Sequence, residues 1–297
     1  MSKIGFIGLG NMGGPMVSNL IQEGHKVTAY DLVPTAIDRA VKSGAIKANS
    51  ALDAITDSDF VITMLPAGEH VRSVYLEDDK ILDYVLPKTL LIDSSTIDVT
   101  TARDVIENAN NRGLKMIDAP VSGGVGGADA GTLTFMCGGE IEAFNRAEPI
   151  LKSMGKNIFH AGKAGSGQAA KVCNNLMLAI EMIAVSEGFL LAEKLDLDAQ
   201  KLWDIASTAT SKCWSMTEYC PVPGPVPSSP ANKNYVAGFT VAMMLKDLNL
   251  SQAAAADNGL NTPLGAKATE LFSSFSLSDN NLNLDFSAII KQIRDIS

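Results

Sequence analysis

The sequence predicts an α/β protein in which a doubly wound parallel sheet over residues 1–163 is followed by an all-helical domain over residues 164–297. Three observations support this prediction. Short apolar segments alternate with longer amphipathic ones through the first half, a glycine-rich turn follows the first apolar segment, and the alternation stops near Gly162. The 297 residues suffice for two domains, at roughly 150 residues for each domain.

The predicted strands are apolar almost throughout, as strands buried on both faces of a parallel sheet are. Amphipathic helical segments lie between them, and this strand–helix rhythm is typical of a doubly wound sheet. The strands are predicted at 3–8, 25–31, 60–65, 89–95, 114–120, 132–137 and 155–160, and the helices between them at 12–23, 35–42, 98–112 and 140–152.

The second half has a helical pattern. Residues 167–194 predict one helix, and because the segment is apolar nearly all round we expect it to be central and buried. Glu181 and Glu187 interrupt its apolar stretch, which argues against a membrane span. The proline-rich segment 220–230 can form neither a helix nor a central strand. Further helices are predicted at 240–257, 264–274 and 285–295.

Composition excludes several classes of partner. The net charge of −9 argues against a nucleic-acid partner, which would require clustered Lys and Arg. The sequence also has no basic amphipathic face, so it gives no support to a membrane partner. The three histidines and four cysteines show no metal-ligand spacing, so no metal is expected. The first predicted strand begins at Lys3, which leaves no room for a targeting segment and predicts a cytoplasmic location. The long apolar helix predicts a homodimer or homotetramer.

The segment Gly8-Leu9-Gly10-Asn11-Met12-Gly13 matches the pattern G-x-G-x-x-G, between a predicted strand and a predicted helix. In this context Gly8 permits a tight turn, Gly10 lets the backbone approach a pyrophosphate, and Gly13 allows the helix to pack closely on the strand. The phosphates would lie at the helix N-terminus, where free N–H groups bind anions. The turn therefore predicts a Rossmann-type dinucleotide site; the alternative is a glycine-rich turn without a ligand.

Asp31 ends the second predicted strand, 18 residues after Gly13. A carboxylate at this place accepts hydrogen bonds from the adenosine ribose and repels a 2′-phosphate. Leu32 and Val33 follow, without an arginine that could bind such a phosphate. The predicted cofactor is therefore NAD rather than NADP.

Two further strand ends should face the cofactor, because ligands lie beyond the carboxyl ends of parallel strands. They are Leu65-Pro66 and Ser94-Ser95-Thr96. A third strand ends in Ser122-Gly123-Gly124, and successive N–H groups of such a turn can bind a small carboxylate. Ordinary loop structure is the alternative in all three places.

Lys171 and Asn175 lie four residues apart and share one face of the long predicted helix. Burial would lower the pKa of such a lysine, and it could then exchange a proton with a substrate hydroxyl near neutral pH. The alternative is a lysine that extends to the surface. Gly165 and Gly167 would let the start of this helix approach a ligand. Lys246-Asp247, on a later helix, is ambiguous on its own.

Taken together, these motifs resemble the β-hydroxyacid dehydrogenase family. The resemblance extends over nearly the whole chain, although Ala67-Gly68-Glu69-His70 departs from the small polar run expected there. The four segments that carry it are GFIGLGNMGGPM (5–16), DAPVSGGVGGADAGTLTFMCGG (118–139), GSGQAAKVCNN (165–175) and MLKDLNL (244–250).

The resemblance implies a role for each matching residue. Lys171 would be the catalytic acid and base. The substrate would be bound by Ser122, Gly123, Gly124 and Asn175, with Tyr219 of the proline-rich loop at its border. The remaining positions would bind NAD, and they are Gly8, Gly10, Asn11, Met12, Gly13, Asp31, Leu65, Pro66, Thr96, Phe239, Lys246 and Asp247.

The resemblance also implies the reaction class, an NAD-dependent oxidation of a small β-hydroxy acid. Segments 213–224 and 229–239 are similar to the branch that oxidises 3-hydroxyisobutyrate to methylmalonate semialdehyde in valine breakdown. A sister enzyme acting on tartronate or succinic semialdehyde is the nearest alternative. A phosphogluconate enzyme fits less well, because the basic phosphate-binding cluster expected for it is missing. A non-catalytic dinucleotide-binding protein is the alternative from another class.

Overall fold

The structure is a computed structural model that describes residues 1–296. The chain forms two compact units, Met1–Lys171 and the segment from Val172 onward. This division falls inside the long helix, whereas the sequence places a boundary at residues 163 and 164. The domain boundary stays a prediction.

The first unit is built on one sheet. Its strands are β1 (Lys3–Ile7), β2 (Lys26–Tyr30), β3 (Ile46–Lys47), β4 (Phe60–Thr63), β5 (Leu90–Asp93), β6 (Lys115–Asp118), β7 (Val121–Ser122), β8 (Leu133–Gly138) and β9 (Gly155–Gly162). Their order across the sheet is β3-β2-β1-β4-β5-β6-β8-β7, and β9 pairs with β8. The two short strands β3 and β7 are additions to the sequence prediction.

Helices lie on both faces of this sheet, which confirms the predicted doubly wound fold. They are α1 (Gly13–Gln22), α2 (Pro34–Lys42), α3 (Ala51–Ile55), α4 (Gly68–Arg72), α5 (Val99–Asn111), α6 (Gly124–Asp129) and α7 (Ile141–Leu151). One apolar cluster joins the sheet to α1 through Leu20 and to α7 through Phe144. A second cluster joins the sheet to α5 through Val105 and to α3 through Ile55.

The sheet is parallel from β3 to β6, but β8 runs antiparallel to both β6 and β7. The cause is the connection between β7 and β8, which contains only the short α6 and its flanking turns. A short connection of this kind joins antiparallel strands, whereas parallel neighbours need a longer crossover. The next crossover contains α7, and β9 is accordingly parallel to β8.

The second unit is helical, as predicted. Its helices are the continuation of α8 (Ser166–Lys194) followed by α9 (Ala199–Ala206), α10 (Trp214–Thr217), α11 (Val241–Asp257), α12 (Pro263–Ser276), α13 (Asp279–Leu282) and α14 (Ile289–Asp295). Residues 220–229 form turns and bends, in agreement with their prolines, and a 3₁₀ turn follows at Pro230–Lys233.

The long helix α8 is less buried than its composition predicts. Ala179 and Met182 lie in the core of the second unit, but Met177 is 57% exposed and Leu191 is 60% exposed. Among the described residues, α8 is the one helix long and apolar enough to span a membrane by length and composition, and 39% of its most apolar window is buried. The prediction of a helix buried all round is therefore wrong, because the described residues leave part of its apolar surface exposed.

Candidate active site

The glycine turn after β1 has the shape that a dinucleotide requires. Gly8 has a φ of +98°, and a Cβ there would collide with the carbonyl of Met64. A Cβ on Gly13 would collide with the carbonyl of Gly8, so the absence of a side chain lets α1 begin directly against the turn. At Gly10, by contrast, a Cβ would meet nothing within 4 Å, which leaves open space where a pyrophosphate would approach the backbone. The three glycines of this turn therefore fit the binding of a dinucleotide.

Asp31 follows β2 and is held against the same turn. Its Oδ2 accepts a hydrogen bond from the backbone N–H of Leu9 at 2.6 Å, and its Oδ1 accepts one from Val33 at 2.7 Å. A carboxylate oxygen has two lone pairs, so each oxygen can still accept a bond from a ribose hydroxyl. The Asp31 side chain is only half-buried. It therefore fixes the glycine turn and still has a face open to solvent.

A buried polar network joins the ends of β4 and β5. Asp93 accepts hydrogen bonds from the hydroxyl groups of Thr63 at 2.8 Å and Ser95 at 2.6 Å. The Ser95 Oγ in turn accepts one from the backbone N–H of Leu65 at 2.8 Å. Burial raises the pKa of Asp93 to about 6, although these hydrogen bonds act in the opposite direction. The network fixes the segments in which Leu65, Pro66 and Thr96 are predicted to contact the cofactor.

Asp118 ends β6 and caps the N-terminus of α8. Its carboxylate accepts hydrogen bonds from the backbone N–H groups of Gly165 at 2.7 Å and Gln168 at 2.9 Å. These N–H groups belong to the start of the helix and have no partner within it. A Cβ on Gly167 would collide with the carbonyl oxygen of Met136 and would lie 2.7 Å from Asp118 Oδ2. The protein itself therefore requires a glycine here, and the approach of a ligand to this position stays a prediction.

Gly165 has a similar explanation. Its φ is +79°, and a Cβ there would lie 2.8 Å from the side chain of Arg103. The close approach is again to the protein itself, and the approach of a ligand to Gly165 stays a prediction. Burial also raises the pKa of Asp118 to about 6, although the hydrogen bonds that its carboxylate accepts from backbone N–H groups lower this pKa.

Gln168 connects the first turn of α8 to the segment after β5. Its side-chain Nε2 donates to the carbonyl of Ser95 at 2.7 Å, and its Oε1 accepts from the backbone N–H of Ile97 at 3.1 Å. Lys171 follows three residues later and is only 6% exposed. Its side chain is therefore buried, and the alternative of a lysine extended to the surface is wrong.

The Ser122-Gly123-Gly124 turn leads from β7 into α6. Gly123 has a φ of +135° and Gly124 a φ of +62°, conformations that favour glycine at both positions. The far end of α6 is fixed to α1, because the side-chain amide of the buried Asn19 donates to the carbonyl of Ala128 at 2.6 Å. The turn is thus held between β8 and the helix that follows the dinucleotide turn.

In the second unit, Asn175 and Lys246 converge on one carboxylate. The Asn175 amide donates to Asp247 Oδ2, and the Lys246 ammonium lies 3.5 Å from Asp247 Oδ1. Asp247 is 3% exposed, so this carboxylate is placed to orient the amide and the ammonium. The structure brings these three predicted residues together.

Tyr219 and Phe239 are joined by a residue that the sequence analysis missed. The Tyr219 hydroxyl donates to Asp285 Oδ2 at 2.8 Å, and the backbone N–H of Phe239 donates to the same oxygen at 3.1 Å. Burial, and then the charge on Asp285, raise the pKa of Tyr219. Asp285 lies far along the chain from both partners, and no local motif indicates it.

Asp118 and Gln168 were also missed as functional residues, although both lie inside the segments that carry the family resemblance. A signal was available for Asp118. It ends a strand at the same edge of the sheet as Asp93, with which it is in register, and a carboxylate at that edge is suited to cap a helix that starts there.

Comparisons with known proteins agree with this geometry. A family profile described as the NAD binding domain of 6-phosphogluconate dehydrogenase matches residues 3–162, and one described as the NAD-binding of NADP-dependent 3-hydroxyisobutyrate dehydrogenase matches residues 165–293. The 3-hydroxyisobutyrate dehydrogenase of Pseudomonas aeruginosa is 49% identical over 295 residues, 99% of this chain and 99% of that protein. This chain belongs to the β-hydroxyacid dehydrogenase family.

Two further members of the family are informative. The NAD-dependent L-serine dehydrogenase of Pseudomonas aeruginosa is 45% identical over 291 residues, 98% of this chain and 97% of that protein. A solved structure described as Mycobacterium tuberculosis 3-hydroxyisobutyrate dehydrogenase with L-serine has a TM-score of 0.94 and 49% identity, and 99% of each chain is covered. The predicted family is confirmed, and this β-hydroxyacid dehydrogenase uses NAD.

Proposed function

We propose that this dehydrogenase oxidises 3-hydroxyisobutyrate to methylmalonate semialdehyde with NAD, a step of valine breakdown. The observation that carries the proposal is the buried Lys171, which follows a helix start fixed by Asp118 and Gln168 to the ends of β6 and β5. A lysine in such a fixed place can act as a base at a defined substrate atom. Full-length relatives that carry this enzyme's name support the choice of substrate.

In the proposed reaction, Lys171 Nζ accepts the proton of the substrate hydroxyl. Bound NAD supplies the acceptor for the hydride that leaves the carbon bearing this hydroxyl. As the C–H and O–H bonds break, the carbon–oxygen double bond of the aldehyde forms, and the lysine carries the released proton. In the reverse direction Lys171 returns that proton to the oxygen. Its burial excludes bulk water from the proton transfer.

The substrate carboxylate is assigned to the Ser122 hydroxyl and the backbone N–H groups of Gly123 and Gly124. Two glycines with positive φ present successive N–H groups, and such turns form concavities that bind anions. Fixing the carboxylate selects which carbon of the acid faces the cofactor, and this positioning supplies much of the rate enhancement.

The remaining predicted residues have supporting roles in this proposal. Asn175 orients the substrate, with its amide held by Asp247, and Tyr219 borders the substrate. The other assignments, all to the cofactor, concern Gly8, Gly10, Asn11, Met12, Gly13, Asp31, Leu65, Pro66, Thr96, Phe239, Lys246 and Asp247.

The test is a panel of small hydroxy acids, assayed with NAD by the appearance of NADH absorbance. We expect 3-hydroxyisobutyrate to give the highest kcat/KM. L-Serine is the second candidate, because one relative is named for it and one solved structure is described with it. A higher kcat/KM with L-serine, with glycerate (the alcohol that corresponds to tartronate semialdehyde) or with 4-hydroxybutyrate (the alcohol that corresponds to succinic semialdehyde) would contradict the proposed substrate and identify the sister activity.

We also propose that the protein is a homodimer or homotetramer in the cytoplasm. The exposed Met177 and Leu191 on α8 support self-association, since a second copy could cover this apolar surface. Analytical ultracentrifugation tests this directly, and a monomer at micromolar concentration would contradict it. The location remains a prediction.

A further inference from the structure

Asp285 makes hydrogen bonds that differ between its two carboxylate oxygens. Oδ1 accepts bonds from the backbone N–H of Ser287 at 3.0 Å and its hydroxyl at 2.7 Å. These bonds cap the 3₁₀ turn Phe286–Ala288 and are local. The side chain is fully buried, so each of these contacts is made away from solvent.

The other oxygen, Oδ2, faces segments far away in sequence. It accepts bonds from the Tyr219 hydroxyl at 2.8 Å and from the backbone N–H groups of Gly238 at 3.0 Å and Phe239 at 3.1 Å. A cap of a short turn requires only Oδ1. The bonds to Oδ2 instead connect the proline-rich loop to the segment that precedes α11.

Aromatic contacts continue this connection. Tyr219 stacks on Phe286 with ring centroids 5.5 Å apart, and Phe239 meets Phe286 edge-on at 5.8 Å. On its other side Tyr219 stacks on Trp214 at 4.7 Å. A Cβ on Gly238 would lie 2.7 Å from the Tyr219 hydroxyl oxygen, so the tyrosine has little freedom to move while it is bonded to Asp285.

We propose that Asp285 is a positioning residue for the reaction, because one buried oxygen holds Tyr219 and Phe239 in a fixed relation. The proposal rests on the proposed roles of these two residues toward substrate and cofactor. Asp285 itself is assigned no contact with either ligand. It acts by fixing a side chain and a backbone segment that do, and misplacement of such groups lowers the rate even when folding is intact.

The two oxygens allow a matched test. Asp285→Asn keeps the volume of the side chain but cannot accept hydrogen bonds with both atoms, whereas Ser287→Ala removes only the hydroxyl bonded to Oδ1. With 3-hydroxyisobutyrate and NAD, we expect Asp285→Asn to raise KM for the acid and to lower kcat, each about tenfold. Ser287→Ala should lower Tm but keep both constants within about twofold of wild type. Equal losses of Tm with unchanged constants in both variants would overturn the proposal.

Coupling to Tyr219 gives a second readout. Tyr219→Phe removes the hydroxyl that Asp285 holds, so its effect on KM should be smaller in the Asp285→Asn background than in wild type. Additive effects would show that the two residues act separately and would overturn the proposal.

Gly238→Ala provides the test if Asp285→Asn does not fold. It leaves the carboxylate in place but displaces the Tyr219 hydroxyl, and we expect a raised KM together with an altered near-ultraviolet circular dichroism signal from the Trp214–Tyr219 stack. An unchanged KM and an unchanged signal would contradict the proposal.

Failure of the proposed function can be distinguished from failure of this inference. If the wild-type protein turns over no acid in the panel, the proposed function is wrong. The positioning of Tyr219 is then decided by the circular dichroism signal alone. Loss of that signal in Asp285→Asn with retention in Ser287→Ala supports it, and retention in both overturns it.

Discussion

The carboxylate of Asp118 accepts a hydrogen bond of 2.9 Å from the backbone N–H of Gln168, and this bond ties the end of β6 to the first turn of α8. Gln168 extends the connection to the segment after β5 through its side chain. Lys171 lies one turn further along the same helix. The position of the proposed base is therefore set by buried hydrogen bonds at the carboxyl edge of the sheet.

Replacing Gln168 by leucine should impair catalysis as well as stability. The change leaves the Ser95 carbonyl and the Ile97 N–H buried without their partner, which we expect to cost about 2–4 kcal/mol in free energy of unfolding. Since the first turn of α8 is then less constrained, kcat should fall about tenfold. Chemical denaturation and steady-state kinetics measure the two effects. Gln200→Leu, at an exposed position on α9, is the matched control and should change neither quantity.

The stability of the protein should depend on pH through Asp93 and Asp118. Burial raises the pKa of each to about 6, above the value of about 3.9 for an aspartate in an unfolded chain. Between these values the folded chain binds more protons than the unfolded one, so the contribution of both groups to the free energy of unfolding falls as the pH rises.

Urea unfolding at a series of pH values checks this sign. Asp93→Asn removes one of the two groups, and its stability should fall less than that of wild type as the pH rises from about 4 to about 6. Asp257→Asn, at an exposed position near the end of α11, should keep the wild-type slope. Identical slopes for wild type and Asp93→Asn would show that Asp93 has no raised pKa.

Asp31 should determine the choice of NAD over NADP. In Asp31→Ser the carboxylate that repels a 2′-phosphate is removed, so the ratio of kcat/KM with NADP to kcat/KM with NAD should rise about a hundredfold. The KM for NAD should rise about tenfold, because a ribose hydrogen bond is lost. Kinetics with both cofactors provide the measurement, with Asp38→Ser on the exposed surface of α2 as the control. An unchanged ratio would assign cofactor selection to other residues.

Much of the fold follows from local sequence patterns. The strand–helix rhythm of the first unit depends on apolar periodicity, and the turn at Gly8 and Gly13 depends on the absence of side chains, so both are visible in the sequence. The reversal of β8 is harder to predict, because it depends on the length of a connection whose short helix α6 has almost no apolar pattern.

The residues that support the site were less predictable than those proposed to act in it. Lys171 and Ser122 lie in short motifs that carry their own chemistry. Asp285, by contrast, meets Tyr219 across 66 positions of sequence, and a single chain shows no local sign of such a pairing. The burial of α8 was overestimated because composition shows that a surface is apolar but not what covers it.

Lys171→Met tests the central claim most directly, since it removes the ammonium group and keeps much of the side-chain volume. The account predicts that kcat for oxidation of 3-hydroxyisobutyrate falls by about 10²–10⁴, while the Kd for NADH, measured by fluorescence, stays within about twofold. Lys163→Met, at an exposed position just before α8, should retain wild-type values. Near-wild-type turnover in Lys171→Met would contradict the assignment of this lysine as the acid and base.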